Sequence, residues 1–306
     1  MIEYSNLFNM QIMIFILTAA GYILRKLNII SSDCRAGLTN LVIDLVLPCN
    51  IIYSFMINFS KDVLKSGLVI LVISIVIQIV CYFLGYVLYG KTTEEERKVL
   101  KYGTICSNAG FLGNPLVEGI YGSMGLLYAS IYLIPQRICM WSAGVSCFTD
   151  SKGKNVVKKV LTHPCIVAVM IGLVIMIFQI RLPGFAVSSI KTISGCTTTL
   201  SMIVIGGILA EIELKTVVSR LNIYYCIIRL VIIPAAVLAV CALLKINPLI
   251  TAVSTVLAGM PAGSTTAILA AKYDCDEKFA VKIVFLSTVL SLITIPVLCV
   301  LVEQLV

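Results

Sequence analysis

The sequence predicts an all-α polytopic membrane protein whose ten transmembrane helices form two inverted five-helix repeats. Three observations predict this class. The 306 residues are 59% hydrophobic and only 12% charged, with a mean hydropathy of +1.05, whereas a soluble domain is about a quarter charged. About ten apolar stretches are long enough to cross a bilayer, which takes roughly 20 residues of helix. Two of these stretches are interrupted by glycine and proline at matching places in the two halves.

The first half of the chain supplies five apolar stretches, which predict spans 1 to 5. The charged segment Lys91–Lys98 precedes span 4. Within it, Thr93 and Glu96 have the spacing of a capping box, so span 4 is expected to begin inside this segment. The predicted spans are Asn6–Leu27, Cys34–Ile57, Ser66–Tyr89, a span 4 that ends near Tyr121, and Gly125–Phe148.

The second half supplies five more stretches, which predict spans 6 to 10. The most polar connection, Asp150–Asn155, lies near the middle of the chain and divides it into the halves 1–150 and 151–306. Two halves with an odd number of spans and a similar internal order must have opposite orientations, which is an inverted repeat. The predicted spans are His163–Ile180, Ile193–Leu214, Asn222–Leu244, Pro248–Ala271 and Phe279–Val302.

Two spans contain a predicted break. In span 4, proline in the run Gly113-Asn114-Pro115 lacks an amide proton and collides with the preceding turn, so the helix should break at about mid-membrane. In span 9, the run Gly259–Gly263 occupies the matching position of the second half. Paired breaks of this kind point to the binding site of a transporter, because irregular backbone at membrane depth is tolerated where it lines a cavity. The alternative is that each proline only kinks its helix.

The first break is expected to bind an anion. Asn114 suits the N-cap position of a half-helix that begins at Pro115. The exposed amides and positive dipole end of such a half-helix attract a carboxylate. Asn108 lies one to two turns earlier and adds a neutral hydrogen-bonding group.

The second break supplies different groups. Pro261 is expected to start the corresponding half-helix, and Ser264 and Thr265 add hydroxyls. Met260 stands where the first break has an asparagine. The two halves of the predicted site are therefore not chemically equivalent.

Four charged residues lie inside predicted spans: Asp44, Glu118, Arg137 and Arg229. A charge at the membrane centre costs about 2.5 to 3.5 kcal/mol on insertion scales, so such residues usually face a cavity or a partner. Either arginine can hold a substrate carboxylate through two hydrogen bonds, or neutralise Glu118 or Asp44 as a structural pair. Asp44 can carry a coupling proton or make a structural hydrogen bond, and Glu118 can be either a coupling or a structural charge.

The distribution of lysine and arginine predicts the orientation. Sixteen of the 23 basic residues lie in the loops between spans 1–2, 3–4, 5–6, 7–8 and 9–10, and five lie on the opposite side. The positive-inside rule then places the protein in the cell membrane with both termini outside the cytoplasm. This topology also explains the net charge of +8 without a nucleic-acid partner.

Other functional classes find little support in the sequence. The twelve cysteines are spread singly with no C-x-x-C pair, and only Cys165 lies near the single histidine, His163, so no metal site and no cofactor are expected. An intramembrane protease would need paired aspartates, a serine dyad or a metal motif, none of which stands out in the spans. We therefore expect a protein that is not an enzyme.

The run Asn108–Pro115, which reads N-A-G-F-L-G-N-P, resembles the auxin efflux carrier family in its bacterial, PIN-like permease form. The ten spans, the central joint and the second break agree with this resemblance over essentially the whole chain. The resemblance implies a fold like that of the bile acid symporters and sodium/proton antiporters. Spans 1, 2, 6 and 7 would form a scaffold and the usual homodimer contact, and spans 3–5 and 8–10 would form a mobile transport domain in which spans 4 and 9 cross.

The resemblance also implies a function. Plant members export the indole carboxylate auxin, and bacterial relatives are described as malate or malonate permeases. We therefore expect a secondary active transporter of a small organic anion that works by an elevator-type motion, with a proton or sodium as the possible coupling ion. The alternative is a carrier-like receptor or sensor that binds its ligand without moving it.

Overall fold

The structure of the chain is a computed structural model that describes residues 4–56, 61–144, 146–148, 162, 164–210, 217–263, 265–273 and 275–305. All regular structure in these residues is helical, apart from one isolated β-bridge. In chain order the helices are α1 Tyr4–Lys26, α2 Ser32–Ser54, α3 Lys61–Val87, α4 Glu94–Ile105, α5 Ala109–Cys139, α6 Pro164–Phe178, α7 Gly184–Gly195, α8 Thr197–Leu209, α9 Arg220–Leu243, α10 Pro248–Ala258, α11 Thr265–Lys272 and α12 Glu277–Leu305. A π-helical turn, Met140–Gly144, directly follows α5.

Within the described residues, α2, α3, α5, α9 and α12 are long and apolar enough to cross a membrane, and α6 and α10 are shorter apolar helices. Many of the large apolar side chains of α3 point outward, where a soluble protein would carry polar groups. The chain is therefore built as a multi-pass membrane protein. The predicted central joint, Asp150–Asn155, lies outside the described residues.

The start of α4 confirms the predicted capping box. The Glu96 N–H donates to the Thr93 hydroxyl oxygen (3.3 Å), and the Thr93 N–H donates to the Glu96 carboxylate (3.1 Å). The stretch predicted as span 7, Ile193–Leu214, contains the end of α7 and all of α8, and the sequence analysis did not predict the separate helix α7. Residues 184–195 are less apolar than the stretch that follows, so hydropathy hides them, although Pro183 directly before the helix is a typical start signal.

Three prolines that look like helix breakers are accommodated inside helices. Pro48, Pro115 and Pro234 each stand two residues after a five-residue π-helical turn. A π turn widens the helix by one residue and changes which carbonyl faces the proline ring, so the chain continues where an α-helix would clash. The turns are Val42–Val46, Ala109–Gly113 and Ile228–Ile232.

One glycine turns α5 back on itself. Gly122 has φ 65° and ψ −159°, the only positive φ among the glycines of the described residues. This conformation strains residues that carry a Cβ. It divides α5 into a first arm, 109–121, and a second arm, 123–139.

The helices pack in two groups. In the first, α1 lies along α8, and α2 packs against α6 and α7. In the second, α3 packs against α5, and α10 packs against α3, α5 and α9. Cys106, Ala109 and Met260 are fully buried in the main hydrophobic core, so the irregular segments next to them lie in the interior.

Candidate binding site at the crossing of two interrupted helices

The first interruption lies at residues 106–108 rather than at Gly113–Pro115, so the predicted position is wrong. Helix α4 ends at Ile105, and Cys106 has the extended angles φ −111° and ψ 99°. The reason is the π turn before Pro115, which lets the helix run through the proline. Asn114 is therefore not an N-cap, since its N–H donates to the Ala109 carbonyl inside the helix. Asn108 holds the N-cap position instead, without a capping bond from its side chain.

The second interruption lies where the sequence predicts it. Helix α10 ends at Ala258 and α11 begins at Thr265. Pro261 lies in the extended segment between them and does not start the second half-helix. Ser264 lies outside the described residues.

The two interrupted segments cross and hydrogen-bond to each other. The Asn108 N–H donates to the Pro261 carbonyl (2.8 Å), and the Gly263 N–H donates to the Cys106 carbonyl (3.0 Å). Ser107 and Ala262 form the antiparallel bridge between these two bonds. Each segment thus satisfies backbone groups that the other exposes, which is a requirement for non-helical backbone inside a membrane.

The close approach depends on Gly263. A Cβ at this position would lie 3.1 Å from the Cys106 carbonyl oxygen and 3.2 Å from that of Ser107. Both neighbours are backbone atoms in the bridge and cannot rotate away as a side chain would. A Cβ at position 263 would therefore force the bridge to shift by a few tenths of an ångström, so the glycine favours the close approach.

Side chains from neighbouring helices anchor both segments. Gln136, on the second arm of α5, donates from Nε2 to the Ser107 carbonyl (2.7 Å) and accepts from the Ser107 hydroxyl at Oε1 (3.0 Å). Arg229, in the π turn of α9, donates from Nε to the Met260 carbonyl (3.0 Å). The Ala262 N–H donates to the Ser287 hydroxyl of α12 (3.2 Å). Gln136 and Ser287 were not expected in the site, although Gln136 adjoins Arg137 in an apolar span.

A cavity of about 80 Å³ lies beside the crossing. One wall is apolar and includes Ile43 and Leu47 of α2, which belongs to the other group of helices. The polar part of its lining comes from the crossing and from α5. These residues are Ser107, Asn108, Gln136, Arg137, Gly263 and Thr265.

Two residues that line the cavity have buried hydrogen-bond donors without partners among the described residues. Arg137 is 6% exposed, and its Nη1 has no partner among the described residues. The same holds for Nδ2 of the buried Asn108 side chain. The first helical hydrogen bond of α5 is the one that the Leu112 N–H donates to the Asn108 carbonyl. The N–H groups of residues 109–111 therefore have no partner within the helix. With Gly110 in the lining, the positive end of α5 also faces the cavity.

These donors make the cavity suited to an anion. A buried guanidinium without a counter-charge is costly, and a carboxylate or phosphate supplies both the charge and the acceptors. Thr265 adds a hydroxyl whose oxygen already accepts from Tyr102 (3.1 Å). Within the described residues, no group of three or more His, Cys, Asp and Glu side chains could hold a metal ion.

The four charges expected inside the membrane do not lie together. Arg137 lines the cavity, whereas Arg229 holds the second segment. Asp44 is exposed on the surface of α2, and the half-buried Glu118 accepts from the Asn50 amide. Among the described residues, no ion pair joins either of these carboxylates to either arginine.

The remaining expected site residues lie outside the cavity lining. Asn114 is fully buried, and both polar atoms of its side chain lack partners among the described residues. Gly113 next to it packs on Leu257 and Met260 of the other half. Pro115 is also buried, so Gly113, Asn114 and Pro115 contact other parts of the protein and not the cavity.

A larger groove of about 590 Å³ lies between α3 and α9. Its lining consists of apolar side chains such as Val76, Ile77 and Val237. It offers no group that would orient an anion, so size alone does not identify the site.

Comparisons with known proteins agree with a transport function. The family described as "Membrane transport protein" matches residues 7–159 and 153–299. An uncharacterized transporter of Methanocaldococcus jannaschii is 26% identical over 294 residues, which cover 93% of this chain and 95% of the relative. An uncharacterized transporter of Methanothermobacter thermautotrophicus is 25% identical over 287 residues, which cover 92% and 94%.

Proposed function

The chain belongs to the membrane transport protein family, the auxin efflux carriers that its span 4 motif resembles, and on this premise we propose that it is a secondary active transporter of a small organic anion, a mono- or dicarboxylate. The observation that carries the proposal is the buried guanidinium of Arg137, a residue that lines the crossing cavity and whose Nη1 has no hydrogen-bond partner among the described residues.

Arg137 would bind the substrate carboxylate as the main counter-charge. Guanidinium and carboxylate match as two parallel hydrogen bonds, and burial makes such a pair strong. The first amides of α5, the Asn108 amide group and the Thr265 hydroxyl would complete the anion's shell. All four groups belong to the crossing, to α5 or to the start of α11, so a ligand held by them would move with these helices.

The size of the cavity favours a small substrate. Pockets for drug-sized ligands usually hold about 300 to 1,000 Å³, whereas this cavity holds about 80 Å³. It accommodates a carboxylate group and little more. A short dicarboxylate of the malate or malonate kind therefore fits with less opening of the site than an indole carboxylate.

An elevator motion is the mechanism we propose. The packing of α1 on α8 and of α2 on α6 and α7 supports a scaffold, and the packing of α3, α5, α9 and α10 supports a separate transport domain. In this proposal the two groups are built from two five-helix inverted repeats. The scaffold would mediate a homodimer, and both termini would face away from the cytoplasm.

Uptake into proteoliposomes tests the proposal. Labelled malate, malonate and indole-3-acetate would be offered to the wild-type protein under imposed pH and sodium gradients. We expect at least one anion to accumulate, and Arg137→Gln to abolish its accumulation. Arg181→Gln, which removes an exposed arginine, is the matched control and should transport normally.

Two outcomes would contradict the proposal in different ways. Accumulation that persists in Arg137→Gln would show that the anion binds elsewhere. Specific binding of an anion without uptake or counterflow would instead establish the receptor or sensor alternative.

A further inference from the structure

A polar contact joins the two groups of helices outside the lining of the crossing cavity. Asn50 of α2 donates from Nδ2 to the Glu118 carboxylate on the first arm of α5 (3.2 Å). The same Nδ2 donates to the Ser194 hydroxyl of α7 (3.0 Å). Asn50 is fully buried and Glu118 is half-buried, and neither lines the cavity.

This contact lacks one hydrogen-bond donor. Both hydrogens of the Asn50 amide nitrogen are used, while the buried Oδ1 has no partner among the described residues. An ionised carboxylate only accepts hydrogen bonds, so Glu118 in that form cannot satisfy Oδ1. A buried acceptor without a partner is costly. A protonated Glu118 carries the O–H group that the contact lacks.

No charge in the described part of the chain compensates Glu118. Among the described residues, the only hydrogen bond of Glu118 is the one from Asn50, and no ion pair involves its carboxylate. Several titratable side chains lie on the surrounding helices without bonding to its carboxylate. These are Cys49 and Tyr53 on α2, Lys191 on α7, Tyr121 on α5 and Glu303 on α12.

We propose that Glu118 is the site at which the carrier takes up a coupling proton, and that the protonated carboxyl group forms two hydrogen bonds with the side-chain amide of Asn50. A proton from the aqueous phase binds one carboxylate oxygen, and the resulting O–H donates to Asn50 Oδ1. The other oxygen continues to accept from Nδ2. Rotation about the last side-chain torsion of Glu118, which is soft, aligns the two groups.

The hydrogen bonds between Glu118 and Asn50 would connect the protonation of Glu118 to the position of the transport domain. Glu118 lies on α5 and Asn50 on α2, which belong to different groups of helices. Protonation removes an uncompensated charge from this interface and adds a hydrogen bond across it. One turn further along α2, Ser54 and Ser130 of α5 share a hydrogen bond between neutral groups (3.2 Å) that does not titrate. The Glu118 contact is therefore the pH-dependent part of the interface.

Infrared spectroscopy of the reconstituted protein at varied pH tests the proton site without any substrate. We expect a pH-dependent carbonyl band of a protonated carboxylic acid. The near-isosteric Glu118→Gln should remove the band, Asn50→Leu should shift it, and Asp44→Asn should leave it in place. A band that survives in Glu118→Gln would overturn the proposal, as would a band that only Asp44→Asn removes.

Transport assays test the coupling role, which rests on the proposed function. Glu118→Gln should lose accumulation driven by a pH gradient while keeping substrate exchange at equal pH, and this exchange should no longer depend on pH. Accumulation that is unchanged in this variant would overturn the coupling role. If the wild type moves no anion but Glu118→Gln removes the infrared band, the proposed transport function fails while the proton site is established.

Discussion

The two interrupted segments cross at one place, but different chemistry holds each of them there. Segment 106–108 is held by the neutral Gln136, which makes two hydrogen bonds with Ser107. Segment 259–263 is held by Arg229, which donates to the Met260 carbonyl. A guanidinium is therefore committed to the backbone of the second segment. The first segment is held by the Gln136 amide group, and Nη1 of the neighbouring Arg137 has no partner among the described residues.

This difference shows that a charge inside a membrane span does not identify a ligand site by itself. Arg137 and Arg229 are both buried, at 6% and 3% exposed. In sequence both are lone arginines in apolar spans. Only the partners of their nitrogen atoms distinguish a group that holds the fold from one that is available to a ligand.

The largest expected effect is on binding at the first segment. Arg137→Gln should weaken binding of the transported anion by about 30-fold or more, because losing one partner of a buried charge pair costs about 2 to 5 kcal/mol. The substitution removes an uncompensated buried cation, so the thermal stability of the ligand-free protein should be unchanged or higher. Equilibrium binding and thermal unfolding in detergent measure the two effects. A clear loss of stability would show that Arg137, like Arg229, is structural.

The next effect concerns stability at the second segment. Arg229→Gln should destabilise the protein by about 1.5 to 3 kcal/mol, the usual value of a hydrogen bond to a charged group. Thermal unfolding of this variant, compared directly with Arg137→Gln, measures the contrast between the two arginines. If Arg137→Gln and Arg229→Gln were equally stable, the two arginines would not differ in their contribution to the fold.

The amide anchor of the first segment is expected to contribute somewhat less. Gln136→Leu keeps the approximate size of the side chain but leaves the Ser107 carbonyl and hydroxyl without their partners. Unsatisfied buried groups cost about 1 to 3 kcal/mol, and the carbonyl can recover part of this by local movement. A melting temperature equal to that of the wild type would mean that the bridge to Ala262 alone holds Ser107.

The smallest of the four effects arises from packing at the bridge. Gly263→Ala places a Cβ 3.1 and 3.2 Å from two carbonyl oxygens, so a loss of about 1 kcal/mol is expected, at the low end for overpacking. Gly110→Ala is the matched control, because a Cβ there meets nothing within 4 Å. Equal stability of both variants would show that the crossing is looser than the hydrogen bonds indicate.

The sequence predicts the second interruption but misplaces the first, and the reason is physical. Gly259 to Gly263 combines two glycines with a proline, and these residues weaken a helix wherever they stand. Cys106-Ser107-Asn108 contains neither residue type. It stays non-helical because Pro261, Gly263 and Gln136 bond to it across the fold, and residue spacing does not reveal such long-range partners.

The prolines of the other helices show the same limit. Pro115 suggests a break because a regular α-helix would clash with its ring. The π turn at Ala109–Gly113 removes the clash, and identical spacing before Pro48 and Pro234 indicates a recurring local solution in this chain. A proline preceded by small or branched apolar residues therefore predicts a distortion, while its type depends on the packing around it.

Arg137 was predictable as a candidate, since the cost of burying a charge makes its presence in a span informative. Its separation from Arg229, Asp44 and Glu118 was not predictable, because it depends on the rotation of four different helices. The role of Gln136 was not predictable either, because its partner Ser107 lies beside it only in the folded chain.

A structure with a bound dicarboxylate would locate the anion site. We expect ligand density in the crossing cavity, with a carboxylate within hydrogen-bond distance of the Arg137 guanidinium and of the first amides of α5. Density elsewhere, with Arg137 bonded to a group of the protein, would show that Arg137 is structural and that the anion binds at another place.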